Sequence, residues 1–242
     1  FIGAEQRQQA LLSLEKTTLQ MAHERHIRED QEKLMTMLAH EIKNPLATMH
    51  LRLDNEAKGS SAMRKAMRDM DAVIERCMQT LRIGERRLEP RLQVADLVAI
   101  TKDAVLSCLN PAQVSLHAPE SLAIETDPQL LYLVLSNLLE NACKYSAPAT
   151  PVDLHLSLLE RPMAKTVAQL TLSNLPGSAG WPDKTKLFDK YYRAPQALRT
   201  SGTGLGLYLV KNLMQALGGQ VVYQPDATLV KFVITLPTPG QR

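Results

Sequence analysis

The chain has 242 residues, 45% of them apolar and only 4% aromatic, so its core is built from Leu, Val, Ile, Ala and Met and suffices for two modest domains or one large one. A net charge of +3 is too small to argue for a nucleic-acid partner. Cys77, Cys108 and Cys143 are scattered without metal-ligand spacing and cannot all pair, which suits a reducing, cytosolic setting, and no apolar run reaches the roughly 18 residues that span a membrane.

The chain opens in what reads as the middle of a helix, so it is expected to be a piece of a longer protein whose upstream part is unseen. From Glu5 to Lys58 there is no glycine and no proline but Pro45. One helix of that length would reach roughly 80 Å at about 1.5 Å per residue, which suggests a coiled coil or bundle. Residues 1–30, with a thin apolar seam (Leu11, Leu14, Met21) and the polar run Gln6-Arg7-Gln8-Gln9, read as a connecting helix. Apolar residues then recur at Leu34, Leu38, Ile42, Leu46, Met49 and Leu53, at spacings that mark one buried face. His40 lies about 200° round the helix from Leu38 and Ile42 and should point to solvent. Glu41 is also off the seam. A neutral imidazole in water is a fair nucleophile, and a neighbouring carboxylate orients it or takes its proton. Pro45 should kink the helix just after the histidine. A His-Glu-x-x-His zinc pattern fails, because Asn44 stands where the second ligand would be.

Asp54 to Ser61 reads as a turn, with Ser60 or Ser61 capping a second helix. Met63, Met67, Met70, Ile74, Cys77 or Met78, and Leu81 alternate four and three, the seam of a coiled coil or four-helix bundle. Gly84 and Pro90 close the helix. Two helices alone cannot bury both seams, so the hairpin over residues 31–88 is expected to pair with a second copy as a homodimer.

Beyond the linker Glu89-Pro90-Arg91, residues 92–240 alternate strands and helices. Short strands are expected at Leu92 to Val94, Val114 to Leu116 and Leu122 to Glu125, with a helix from Asp96 to Leu109. Asp127 caps a helix from Pro128 to Tyr145. Val152 to Leu159 and Val167 to Ser173 are strands. A helix from Leu205 to Leu217 and a hairpin of Val221 to Tyr223 with Leu229 to Leu236 complete a two-layer α/β sandwich on one sheet, helices on one face. The fold class of the whole is α+β: a helical hairpin forming a dimeric four-helix bundle, then the sandwich.

Three features of the sandwich bear on nucleotide. Asn137, Asn141 and Lys144 share a helix face; their amide oxygens can ligate a hard ion such as Mg²⁺, and the lysine can meet phosphate oxygens. Gly202-Thr203-Gly204-Leu205-Gly206-Leu207 opens the next helix, where glycines let backbone amides close on an anion and the helix dipole favours it. This is neither the dinucleotide fingerprint nor the Walker pattern. The connection from Leu175 to Thr203 is too long for a turn. It carries Phe188, Tyr191, Tyr192 and Arg193 among lysines, which suits a lid over a phosphate-bearing ligand. Trp181 is expected in the core. His23, His26, His50, His117 and His155 have no setting comparable to that of His40 and are read as structural.

Taken together, these residues resemble the sensor histidine kinases of two-component signalling over roughly Glu29 to Leu236. His40-Glu41-Ile42-Lys43-Asn44-Pro45-Leu46 is similar to the phosphoacceptor box. Asn137 through Tyr145 is similar to the asparagine box, Leu187 through Arg193 to the phenylalanine box, and Gly202 to Leu207 to the second glycine box. The resemblance implies a dimeric helical hairpin followed by an ATP-binding domain of the type shared with gyrase, heat-shock chaperone and mismatch-repair ATPases. It implies phosphorylation of His40 from Mg-ATP, with Glu41 handling the proton. Asn137, Asn141, Lys144, Tyr145, Asn174, Phe188, Tyr192, Arg193 and the segment Gly202 to Leu207 would hold nucleotide, with Asn141 and Asn137 as metal ligands. The phosphoryl group would pass to an aspartate of a response regulator receiver domain docked near Ala47, Thr48 and Met70. Asn44 would serve a reverse phosphatase reaction. By family habit this is the cytoplasmic part of an inner-membrane-anchored sensor, joined to the membrane only through upstream segments.

One motif departs from the family. Its first glycine box is Asp-x-Gly-x-Gly, whose aspartate receives the adenine amino group. Here the region reads Asn174-Leu175-Pro176-Gly177-Ser178-Ala179-Gly180-Trp181, and no aspartate ends the strand. The Asn174 amide oxygen is the nearest acceptor, weaker than a carboxylate. The alternative of a different class is therefore a catalytically weak or inactive dimeric scaffold or phosphatase with a degenerate adenine site. An ATP-driven clamp like gyrase leaves the His40 hairpin unexplained.

Overall fold

The computed structural model describes residues 2–53, 70, 74, 77–80, 83, 88–108, 110–161, 165–199 and 202–239. The chain forms two compact units, Phe1–Cys77 and Met78–Arg242, each described by itself.

In the first unit, α1 (Ile2–Leu53) runs as one helix through Pro45. Leu34 on the seam is buried at 3% exposure while Met35 beside it is 69% exposed, so one face is selected over its neighbour. Leu11, Leu14 and Met21 in the connecting part are exposed. The Arg25–Glu29 pair there, 3.0 Å apart at one helical turn, is a solvated surface bridge of small energetic consequence. The side chains of His40, Glu41 and Asn44 lie outside the described residues, so the expected exposure of the imidazole has no counterpart here. Of the second helix, Met70, Ile74 and Cys77 are helical in this unit. Cys77 is buried at 2% exposure, whereas Met78, which opens the second unit, and Ile74 of the expected seam are both 44% exposed. Met63, Met67, Leu81 and the turn over 54–61 lie outside the described residues.

The second unit carries β1 (Gln93–Asp96), α2 (Leu97–Ser107), β2 (Val114–His117), β3 (Ala123–Thr126), α3 (Pro128–Tyr145), β4 (Val152–Arg161), β5 (Lys165–Asn174), α4 (Gly206–Ala216), β6 (Gln220–Tyr223) and β7 (Val230–Pro237). The expectation of one sheet is corrected. Five strands form a mixed sheet in the order β2-β4-β5-β7-β6, with β2 parallel to β4 and the other pairs antiparallel. β1 and β3 instead pair only with each other. The reason lies in Asp96, whose Oδ1 accepts from Val98 N at 3.0 Å, capping α2, and from Leu122 N at 2.9 Å. Leu97 N donates to Leu122 O at 2.8 Å. One carboxylate thus commits the end of β1 to the start of β3.

Alternation along the strands builds the core. Val152, Leu154 and Leu156 on β4, Ala168, Leu170 and Leu172 on β5, and Phe232, Ile234 and Leu236 on β7 face one way and are buried. Helices α2, α3 and α4 cover that face with Leu97, Leu131, Val134, Leu135, Leu138, Leu209 and Leu213. Each such side chain contributes about 1.5–3 kcal/mol relative to exposure. Ile83 and Leu88 pack on the same core. α3 begins as expected: Asp127 Oδ1 accepts from Gln129 N and Leu130 N at 3.0 and 3.1 Å, and Pro128 occupies the first turn, where its missing N–H costs nothing. The second carboxylate oxygen accepts from Arg91 N at 2.9 Å, tying the linker to the start of the helix.

Candidate nucleotide site

The last turns of α3 face the segment that opens α4. Asn137 is buried, and its Nδ2 donates to Leu133 O at 2.8 Å, one turn back. Its Oδ1 is a buried acceptor with no hydrogen-bond partner, a costly state that a ligand would relieve. That oxygen lies 3.2 Å from where a Cβ on Gly206 would stand, and Asn141 Nδ2 lies 3.5 Å from the same point. The absence of a side chain at Gly206 is what lets two amide side chains approach the helix opening. One turn on, Lys144 Nζ lies 2.9 Å from the corresponding point on Gly202 and 5.3 Å from the centre of the Tyr145 ring. Asn137, Asn141 and Lys144 therefore line up along the segment Gly202 to Gly206.

That segment presents backbone donors. Leu205 precedes α4 as its N-cap and its side chain makes no cap hydrogen bond, so the first amides of the helix have no intrahelical acceptor. Thr203, buried, accepts from Leu205 N at 3.2 Å through its hydroxyl and shapes the turn. Leu205 is fully buried and Leu207 packs on the core, so the loop is anchored on both sides of Gly206. Amides at a helix start, a helix dipole and an ammonium group favour an anion at this place.

The lid is docked on the same loop. Tyr191 N donates to Gly204 O at 3.1 Å. Gly204 has φ +69°, and a Cβ there would fall 2.7 Å from the Tyr191 carbonyl carbon and 2.9 Å from Tyr192 O. Phe188, expected among the ligand-binding residues, is half-buried and packs in part on the core. Its ring meets Phe232 edge-on at 6.5 Å and carries Lys211 Nζ 5.9 Å from its centre, so it anchors the lid. Arg193 Nη2 donates to Ala197 O at 2.8 Å, holding the 3₁₀ turn Pro195–Arg199. Tyr192 is half-buried, and its amide donates to Asp189 O at 3.2 Å. Trp181 corrects an expectation: it is 44% exposed, not part of the core. It follows Gly180, at φ +68°, and precedes Pro182, in a stretch with no sheet partner.

At the far end of β5, Asn174 is buried and its Nδ2 donates to Leu175 O at 3.0 Å, which leaves the amide oxygen as its acceptor. Beyond it the chain closes on the end of α3. Ala147 N donates to Leu175 O at 3.0 Å, Ser146 bridges Pro176, and Gly177 N donates to Tyr145 O at 2.8 Å. These contacts bring Asn174 and Tyr145 to one end of the site. Sequence reasoning missed Gln113, whose Nε2 donates to Ser146 Oγ and Thr150 O, both at 2.9 Å, and so holds the exit of α3. Nothing in its local pattern signals this contact.

Residues 126–240 match the family described as histidine kinase-, DNA gyrase B-, and HSP90-like ATPase. The swarming motility regulation sensor protein RssA of Serratia marcescens is 26% identical over 223 residues, 86% of this chain and 46% of that protein. The sensor protein VanS of Enterococcus faecium is 26% identical over 251 residues, 95% of this chain and 63% of that protein. The chain thus spans about half to two thirds of the length of these relatives. Among solved structures, Acinetobacter baumannii histidine kinase AdeS shares the fold, with a TM-score of 0.53 at 18% identity over 83% of this chain and 98% of that one. Residues 126–240 are thus similar to the histidine kinase-, DNA gyrase B-, and HSP90-like ATPases, and the chain as a whole is similar to sensor proteins of the histidine kinase type.

Proposed function

We propose that this chain is the kinase core of a sensor histidine kinase, which transfers the γ-phosphoryl group of ATP to His40 and then to an aspartate of a response regulator receiver domain. The observation that carries this reading is the alignment of Asn137, Asn141 and Lys144 on the uncapped opening of α4, with a buried amide oxygen awaiting a partner. Residues 1–30 act as the connecting helix, 31–88 as the dimerising hairpin and 92–240 as the catalytic domain. Two hairpins pair into a four-helix bundle, as the two apolar seams of the hairpin require.

In the transfer, an imidazole nitrogen of His40 forms a bond to the γ-phosphorus as the bond to the β,γ-bridging oxygen breaks, and Glu41 accepts or orients the imidazole proton. Lys144 and the amides of Gly202 to Gly206 offset the charge on the phosphates. Asn141 and Asn137 offer amide oxygens to Mg²⁺, which supplies charge neutralisation of the phosphates when bound. Asn174 and Tyr145 border the adenine end, Arg193 and Tyr192 belong to the lid, and Asn44 positions water for the phosphatase reaction. The donor places this core in the cytoplasm, and membrane attachment would run through upstream segments.

Calorimetry with Mg-ATP tests the site: wild type binds, and Asn141→Ala loses tenfold or more in affinity. No binding by wild type at millimolar Mg-ATP is the result that the scaffold alternative requires and that overturns the kinase reading.

A further inference from the structure

The two histidines of the catalytic domain come together on the face of the sheet opposite the helices. His117 ends β2 and His155 lies on β4. The strands are parallel and the two residues are register partners. Core residues alternate with them: Leu154 and Leu156 turn inward while His117 and His155 are both exposed. Their ring centres are 6.0 Å apart with an interplanar angle of 63°, so the rings meet edge to face and are not stacked.

β2 stops at His117 while β4 continues to Arg161, so β4 loses its neighbour on that edge. The gap is an open cavity of about 640 Å³, lined by His117 and His155 together with Ser121, Ser157 and the turn at Ala118 and Pro119. Among the described residues no third His, Cys, Asp or Glu completes a cluster with these two.

We propose that His117 and His155 form a chelating site for a divalent transition-metal ion of the Zn²⁺, Ni²⁺ or Cu²⁺ type. Imidazole suits these metals and not Mg²⁺, which demands oxygen. An ion about 2.1 Å from one nitrogen of each ring suits centres 6.0 Å apart once the ring that presents its face is turned to point a nitrogen at its neighbour. The cavity leaves the remaining coordination positions to water. Held there, the ion clamps the four-residue edge strand β2 to β4, so it should stabilise the domain whether or not nucleotide is bound.

Zn²⁺ titrated calorimetrically into the whole chain tests this. Both histidines are exposed, so His117→Gln and His155→Gln should fold as wild type does, which circular dichroism checks. Each is expected to weaken Zn²⁺ binding tenfold or more and to abolish the Zn²⁺-induced rise in melting temperature, while His23→Gln leaves both unchanged. Affinity within twofold of wild type in both variants overturns the proposal. A second measurement needs no variant: substoichiometric Ni²⁺ should broaden the imidazole proton resonances of His117 and His155 together and before the others. Earlier broadening of any other histidine contradicts the site.

Discussion

The Asn137 side-chain oxygen on α3 stands 3.2 Å from the place a Gly206 Cβ would take at the start of α4. A methyl group there forces the amide back by a few tenths of an ångström. Gly206→Ala should therefore lower Mg-ATP affinity tenfold or more by calorimetry, about 1.4 kcal/mol. Alanine is the better helix former by about 1 kcal/mol, so the melting temperature should hold or rise. That split separates damage at the site from unfolding.

Gly204 makes a different demand. Its positive φ and the lid backbone within 3 Å of a Cβ position leave no flexible side chain to yield. Gly204→Ala should cost about 1–3 kcal/mol in a denaturant titration. It should also free the lid, seen as faster tryptic cleavage between Leu175 and Arg199.

Asp127 serves two segments through one carboxylate, the first turn of α3 and the Arg91 amide. Asp127→Ala should cost about 1–2 kcal/mol in a urea titration, the upper part of the range for a lost cap, because the linker amide also loses its acceptor.

Two groups set pH dependences of opposite sense. Burial first, and then the neighbouring Cys108 thiol, pushes the Cys143 thiol from 9.0 up to about 11. Its folded pKa is raised, so its contribution is intact below pH 9.0 and is lost as pH climbs towards about 11. Denaturation from pH 8 to about 11 should show a smaller alkaline loss in Cys143→Ser than in wild type. Iodoacetamide should also label Cys143 more slowly than a free thiol at neutral pH, since the thiolate is the nucleophile. Asp226, in the turn between β6 and β7, accepts from the amides of Thr228 and Leu229 and meets Lys231 Nζ at 3.1 Å. These contacts, the backbone amides first, hold its carboxyl well below the usual carboxylate range. Its contribution is present above the ordinary value of 3.8 and fades as pH falls below it. Asp226→Asn should thus flatten the acid limb of stability against pH.

What could be read from the sequence follows from how far each signal travels along the chain. α3 was legible end to end because its cap and proline are adjacent and its apolar spacing is unbroken. The strands β4, β5 and β7 were legible from alternation. The pairing of β1 with β3 was not, since it is fixed by Asp96 reaching 26 residues ahead. Nor could the burial of Cys77 rather than Met78 be read, because both fit a spacing that alternates four and three. At the site, residue types and helix faces were visible, but the meeting of Asn137 with Gly206 depends on α3 and α4 packing side by side. Trp181 went the other way: an aromatic in a long loop reads as core or surface alike until the fold leaves it exposed.

His40 as phosphoryl acceptor is tested most directly by incubating the chain with magnesium and ATP labelled at the γ-position. Label should enter wild type, be lost in acid and kept in base, and be absent from His40→Gln. Equal labelling of wild type and His40→Gln would contradict the assignment.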